Sequence, residues 1–147
     1  MGRFDVRQTT QLDVTPERAW DYVMSHDEWR LPYVTAVTML TEGDTAVGSQ
    51  FENNLPGGGR TWSAINEITH VEPPRRLAWK QVNKDGPTST VEGHYLIEPA
   101  EGGSTFTMHN ILETNGRAAG PVWLNKWILE RRVYPRFFKQ LREAVRE

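Results

Sequence analysis

Several residue classes that often reveal a protein's chemistry are absent or scarce in this chain of 147 residues. It contains no cysteine, which excludes disulfide frameworks, thiolate nucleophiles and cysteine-based metal sites. No apolar run approaches the roughly 20 residues that a membrane-spanning helix needs. The first ten residues are mostly charged or polar with a few interleaved apolar ones, unlike the apolar run of a secretory signal peptide. These absences predict a soluble, cytoplasmic protein.

An excess of one charge sign is also missing, because the formal net charge is −2. Nucleic-acid binding depends on basic groups that neutralise phosphates, so we expect no nucleic-acid partner. The charges are nevertheless unevenly distributed. Residues 126–147 carry seven Lys and Arg against three Glu, a net +4 that leaves −6 on the rest of the chain. We interpret this segment as a solvated basic helix face, with contact to an anionic surface as the alternative.

Familiar catalytic motifs do not occur. The sequence has no G-x-S-x-G nucleophile elbow and no H-E-x-x-H metal-binding pair. The glycine triplet 57–59 follows Pro56 in a predicted hairpin turn, whereas a phosphate-binding loop joins a strand to a helix. Strand alternation places His94 and His109 on the outer face of the predicted sheet. Because the histidines are dispersed, we expect no metal site; they are His26, His70, His94 and His109.

The chain does contain a regular succession of strand signals. Residues 4–14 alternate between apolar and polar side chains, which predicts a first strand. Thr15 and Pro16 supply a cap and a first-turn proline for a helix, and residues 27–31 form a second short helical segment. This order predicts an antiparallel meander within one domain spanning residues 1–147. The six further strands are predicted at 36–40, 48–55, 62–71, 77–82, 90–98 and 105–113.

The last predicted element is a long aromatic helix from Pro121 to Val145. Its apolar residues recur at spacings of three, four or seven, as on one face of a helix. The pattern is interrupted at Glu130 and Arg131, and Pro135 lacks the N–H that would bond to the carbonyl of Arg131, so we expect a kink. The apolar face, which we expect to cover the sheet, comprises Trp123, Trp127, Tyr134, Phe138, Leu141 and Val145.

A family resemblance rests on Trp29 and five segments: 14–23 (VTPERAWDYV), 47–51 (VGSQF), 71–79 (VEPPRRLAW), 95–99 (YLIEP) and 103–105 (GST). In these residues, and in its order of elements, the chain resembles the START/SRPBCC superfamily, particularly its polyketide cyclase/dehydrase-like branch. The resemblance implies an α+β helix-grip fold of the START/Bet v type. In that fold a curved antiparallel sheet of about seven strands surrounds a long C-terminal helix, with two short helices after the first strand.

Polar side chains on the predicted inner face indicate where a ligand would bind. Alternation turns Asn53, Gln81 and Asn110 towards the helix. A packed core rarely accepts several amides, because each buried polar atom needs a partner. We therefore interpret them as polar positions in an otherwise apolar pocket, the alternative being that they lie at strand ends and face water. The predicted ligand-binding residues are Tyr33, Phe51, Asn53, Trp79, Gln81, Tyr95, Phe106, Met108, Asn110, Trp123, Trp127, Glu130 and Tyr134.

The resemblance implies binding of a small hydrophobic molecule, because superfamily members bind lipids, sterols or polyketides, and only some are enzymes. The leading hypothesis is a cyclase or dehydratase that needs no metal or organic cofactor. Its candidate proton-transfer residues are Glu130, Tyr95 and Asn110; alternatively, Glu130 pairs with a neighbouring arginine. Two other hypotheses are a non-catalytic carrier or sensor of lipid, quinone or hormone-like ligands, and a co-chaperone-like protein-binding domain. We expect a monomer or homodimer with no membrane insertion.

Overall fold

The computed structural model of the chain describes residues 2–24, 36–42, 45–57, 60–83, 88–114 and 120–146. Within these residues, seven antiparallel strands form one sheet with the order β1-β7-β6-β5-β4-β3-β2. The predicted meander is confirmed from β2 to β7, and β1 pairs with the last strand of the series. The strands are β1 (Gly2–Leu12), β2 (Ala36–Met39), β3 (Gln50–Gly57), β4 (Arg60–Glu72), β5 (Arg76–Gln81), β6 (Thr88–Ala100) and β7 (Gly103–Thr114).

Two irregularities in strand pairing help the sheet to curve. The register between β4 and β5 shifts between Ile68 and His70, and that between β6 and β7 shifts between Thr90 and Glu92. A bulge of this kind bends its strand and increases the local twist. The long central strands thereby acquire a concave inner face, against which the apolar side chains of the chain pack.

The first helix, α1 (Pro16–Val23), forms as its sequence predicts. The Thr15 hydroxyl accepts a hydrogen bond from the backbone N–H of Arg18 at 3.2 Å, as expected of an N-cap residue. Ala19, Trp20 and Val23 of α1 are buried in the core. The second helical segment predicted at residues 27–31 lies outside the described residues, as does the candidate ligand residue at position 33.

The C-terminal helix is continuous in extent but changes type in the middle. It consists of α2 (Val122–Ile128), a π turn (Leu129–Val133) and α3 (Tyr134–Val145). The N–H of Tyr134 bonds to the carbonyl of Leu129, five residues back. Since Pro135 has no N–H, the carbonyl of Glu130 loses its donor within the helix, and Gln8 Nε2 of β1 donates to it instead at 3.1 Å. The irregularity expected near Pro135 is thus a π turn, and the carbonyl bonded from outside the helix is that of Glu130 rather than Arg131.

The π turn changes which face of the helix meets the sheet. Because it accommodates about one extra residue, the faces before and after it are rotated by roughly 100° relative to an uninterrupted α-helix. The expectation that Trp123 and Trp127 cover the sheet is therefore corrected: they are 70% and 47% exposed. The buried side chains of α3 are Tyr134, Phe137, Phe138, Leu141 and Val145.

Candidate ligand site on the inner face of the sheet

An aromatic cluster joins α3 to the centre of the sheet. The ring of Tyr95 lies 4.8 Å from Trp79 and 5.2 Å from Phe106, measured between ring centroids. Phe137 of α3 packs 6.5 Å from Tyr95 and 6.3 Å from Phe106. All four side chains are buried, so the interior has an apolar wall made by both the sheet and the helix. Phe137 was not among the predicted site residues, although its position three residues after Tyr134 indicates the same helix face.

A glycine in the middle of a strand makes room for the indole of Trp79. Gly93 of β6 is the cross-strand partner of Trp79, and a Cβ added at Gly93 would overlap the indole ring. The missing side chain therefore lets the indole lie directly over β6. The signal in the sequence is the glycine within a predicted strand, which often marks the close approach of another group.

Three amides on the inner face have buried atoms that lack partners. Asn53 Oδ1, Gln81 Nε2 and Oε1, and Asn110 Oδ1 are buried, and none has a hydrogen-bond partner among the described residues. Leaving such an atom unpaired costs about 1–3 kcal/mol, so a packed core normally avoids it. The alternative that these amides face bulk water does not apply to these atoms. Their burial instead indicates positions suited to hydrogen bonds with a bound molecule.

Asn110 is held by a contact with the C-terminal helix. Its Nδ2 donates a hydrogen bond to the phenol oxygen of Tyr134 at 2.6 Å, and both side chains are fully buried. Tyr134 is the first residue of α3, directly after the π turn. The start of α3 is thereby tied to β7, and the amide of Asn110 is oriented so that Oδ1 stays unpaired.

The strand register arranges the amides across the inner face. Gln81 of β5 lies opposite Asn66 of β4, which in turn lies opposite Phe51 of β3. Asn66 is buried and was missed by the sequence analysis, although it alternates with the buried Ile68. Neighbouring strands are about 4.8 Å apart, so side chains on adjacent strands can contact the same small molecule. We call the set Asn53, Asn66, Gln81 and Asn110 the amide arc.

The predicted acid or base Glu130 does not join this interior group. Its side chain is 35% exposed and lies 3.8 Å from Lys126, to which it is ion-paired. Glu130 is therefore partly exposed and ion-paired, and its partner is a lysine rather than the arginine considered from the sequence. The neighbouring Arg131 is exposed. Of the three proton-transfer candidates, the structure places Tyr95 and Asn110 in the interior.

The remaining predicted inner residues lie where alternation placed them, and two histidines lie on the opposite face. Phe51 and Met108 are buried in the core. His94 and His109 are cross-strand partners on the outer face, where their rings stack with centroids 5.8 Å apart. Their outward orientation confirms the prediction from strand alternation.

Solved structures with the same architecture include a di-domain ARO/CYC protein and an aromatase/cyclase. The di-domain ARO/CYC protein StfQ of the steffimycin biosynthetic pathway superposes with a TM-score of 0.71 and 17% identity, over 97% of this chain and 50% of that chain. The Zhui aromatase/cyclase from Streptomyces sp. R1128 superposes with a TM-score of 0.66 and 16% identity, over 98% of this chain and 92% of that chain. At these identities the likeness establishes the fold alone, and it confirms the helix-grip fold.

Sequence comparison gives two partial matches, both to proteins named transcription termination factor Rho, and one family match that spans the chain. Transcription termination factor Rho from Streptosporangium roseum is 29% identical over 100 residues, covering 67% of this chain. The chain spans only 25% of that relative, so its activity is not carried over. The family described as polyketide cyclase / dehydrase and lipid transport matches residues 3–146. With this match over nearly its whole length, the chain belongs to the polyketide cyclase/dehydrase and lipid transport family.

Proposed function

We propose that this protein binds a small, uncharged and largely apolar molecule between its sheet and its C-terminal helix. The observation that carries the proposal is the amide arc beside the aromatic cluster, with buried amide atoms that lack partners. Apolar pockets with a few well-placed polar groups are the usual form of small-molecule sites. The arc offers a donor at Gln81 Nε2 and acceptors at Gln81 Oε1, Asn53 Oδ1 and Asn110 Oδ1. A ligand that carries both hydroxyl and carbonyl oxygens could pair with donor and acceptors alike.

The described residues that are buried on the inner face carry no charged side chain, which favours an uncharged ligand. Among the described residues, the buried carboxylate is Glu113, which pairs with Arg3 at 3.1 Å. Glu113 alternates with the inward-facing Leu112 and so belongs to the outer face of β7. An ionised ligand would move from water into a site that offers no partner charge, and burying an unpaired charge is costly. Carboxylate ligands should therefore bind more weakly than neutral ligands of the same shape.

The finer proposal is a cyclase or dehydratase activity that acts mainly by positioning. A folded substrate held against Trp79 and Tyr95 would have its reacting carbons close together, which by itself lowers the barrier substantially. The phenols of Tyr95 and Tyr134 are the candidate proton donors, and Asn110 would orient Tyr134 through its hydrogen bond. Family membership and the fold shared with aromatase/cyclases support this proposal.

A second candidate function is non-catalytic binding, as in a carrier or sensor. It is favoured by the chemistry of the interior, where the described inner residues include no carboxylate and no histidine. Amides and phenols hydrogen-bond a neutral ligand well but are weak general bases at neutral pH. Tyr95→Phe separates the two functions once a ligand is known. An enzyme would lose product formation with little loss of affinity, whereas a carrier would change in affinity at most.

The proposed binding site can be tested with matched naphthalene probes and amide variants. Binding of 2-naphthol and of 2-naphthoate would be followed by isothermal titration calorimetry on the wild type, Asn110→Leu and a control, Gln140→Leu. Gln140 is an exposed amide on α3, so its loss should leave binding unchanged. We expect 2-naphthol to bind more tightly than 2-naphthoate, and Asn110→Leu to weaken 2-naphthol roughly tenfold, the effect of one lost buried hydrogen bond.

Two outcomes would contradict the proposal. One is the absence of binding by any neutral aromatic probe, and the other is equal affinity in wild type and Asn110→Leu. Native mass spectrometry of protein purified from cells provides a separate test. A co-purified small apolar molecule supports the ligand site, whereas a stoichiometric protein partner with no small molecule supports the protein-binding hypothesis instead.

A further inference from the structure

The outer side of α2 carries a group of exposed apolar side chains. Leu124 and Ile128 are 36% and 40% exposed and accompany the two exposed tryptophans, Trp123 and Trp127. Positions 123, 124, 127 and 128 follow the spacing that places residues on one side of a helix. We call these four residues the α2 apolar face. Contiguous exposed patches of large apolar residues commonly mark interaction surfaces, whereas single exposed ones need no explanation.

The structure holds the α2 apolar face outward. On its other side α2 packs against the start of β1, where Val122 occupies the space that a side chain at Gly2 would need. Leu129, at the beginning of the π turn, is buried in the core. The hydrogen bond from Gln8 to the carbonyl of Glu130 ties the π turn to β1. Because these contacts set the rotation of α2, exposure of its two tryptophans is a consequence of the fold.

The segment that carries the α2 apolar face is rich in basic residues. Between residues 122 and 136, four Lys and Arg stand against the single carboxylate Glu130, which gives this segment a net charge of +3. Arg132 lies over the ring of Trp127, with its guanidinium carbon 6.0 Å from the ring centroid. The other basic residues are Lys126, Arg131 and Arg136. Two copies that met through this face would bring like charges together, so the charge favours an anionic partner over a second copy of the chain.

We propose that the α2 apolar face docks the protein on an anionic lipid surface. A helix with tryptophan and leucine on one side and lysine and arginine beside them is the type that lies in the plane of a membrane interface. The indoles would sit at the level of the headgroups, and the basic side chains would pair with anionic lipids. No helix in the described part of the chain is long and apolar enough to cross a membrane, so the proposed contact is peripheral.

Vesicle co-sedimentation tests this proposal on the full chain. The vesicles are phosphatidylcholine alone, or phosphatidylcholine mixed with phosphatidylserine. The variants are Trp123→Gln/Trp127→Gln, which removes the aromatic anchors, and Arg131→Gln/Arg132→Gln, which removes two charges. Matched controls are Val47→Gln/Val82→Gln, exposed apolar residues elsewhere, and Arg75→Gln/Lys80→Gln, exposed basic residues elsewhere. All the substituted side chains are exposed or partly exposed, so circular dichroism and melting should match the wild type.

We expect the wild type to bind vesicles that contain phosphatidylserine, to bind phosphatidylcholine weakly, and to be released by salt. Each lost positive charge should weaken binding roughly fivefold, so Arg131→Gln/Arg132→Gln should weaken it about 25-fold. The double tryptophan variant should bind about tenfold more weakly or worse and lose the blue shift of fluorescence on binding. Both controls should bind like the wild type.

Three results would overturn the proposal. The first is no binding to vesicles that contain phosphatidylserine, and the second is binding that the control variants reduce as much as the α2 variants do. The third is concentration-dependent dimerisation, abolished by Trp123→Gln/Trp127→Gln, in a protein that does not bind vesicles. In that case a second copy of the chain covers the face. None of these results depends on the interior ligand site, so the two proposals can fail separately.

Discussion

The two halves of the C-terminal helix have similar aromatic content but opposite environments. In α3, Tyr134, Phe137 and Phe138 are buried against the sheet. In α2, Trp123 and Trp127 are exposed, and no side chain of α2 is fully buried. The two halves are separated only by the π turn over Leu129–Val133. Helical spacing alone therefore does not decide which aromatic residues of this helix are buried, because the π turn rotates α2 relative to α3.

The largest expected effect comes from substituting one aromatic residue in each half. Phe137→Ala should destabilise the fold by about 3–5 kcal/mol, because it leaves a cavity between Tyr95 and Phe106. Trp127→Ala, which removes an exposed side chain, should change the free energy of unfolding by less than about 1 kcal/mol. Chemical denaturation followed by circular dichroism measures both values. Similar losses of unfolding free energy in the two variants would show that the two halves are equally packed, which contradicts the proposed difference between α2 and α3.

An intermediate effect is expected from the hydrogen bond that supports the π turn. Gln8→Leu removes the side-chain donor to the carbonyl of Glu130 and should cost about 1–2 kcal/mol. Pro135→Ala in the same chain restores an N–H five residues after Glu130, so the double variant should recover part of that loss. A double-mutant cycle by urea denaturation measures the coupling. Strictly additive effects would mean that Gln8 and Pro135 do not act on the same carbonyl. Gln11→Leu, in the same strand, is the control for loss of a glutamine from β1.

The smallest expected effect on stability is at the amide arc. Asn53→Leu removes a buried oxygen that has no partner, so the free energy of unfolding should change by less than about 1 kcal/mol or should rise. Affinity for 2-naphthol should nevertheless fall, because the variant removes an acceptor from the proposed site. Thermal melting and calorimetry on the same preparations measure both quantities. A stability loss as large as that of Phe137→Ala would show that Asn53 serves packing rather than binding.

Much of the sheet follows from local patterns. The predicted strands at 62–71 and 105–113 lie within the observed strands Arg60–Glu72 and Gly103–Thr114. The same alternation correctly turned Asn110 inward and His109 outward, because successive side chains of a strand point to opposite faces. The helix cap at Thr15 was readable for a similar reason, since capping involves residues only three positions apart.

Other features of the site depend on residues far apart in the sequence. Gly93 leaves space for the indole of Trp79 because the two residues are paired on neighbouring strands. The sequence does not show that pairing directly. Glu130 was predicted to line the ligand site, but its carboxylate is partly exposed and pairs with Lys126, four residues earlier on the same helix. Asn66, by contrast, lies two residues before the buried Ile68 on β4, so strand alternation alone places it on the inner face.

The order of the elements, the faces of the strands and the aromatic character of the last helix can all be read from the residues, because each depends on composition or on spacings of a few positions. Which aromatic residues of that helix are buried depends instead on tertiary contacts. That choice depends on a carbonyl left without a donor by Pro135 and on Gln8, more than one hundred positions earlier, which supplies the hydrogen bond. A contact over that separation rotates α2 and leaves Trp123 and Trp127 at the surface, an outcome that helical periodicity alone does not predict.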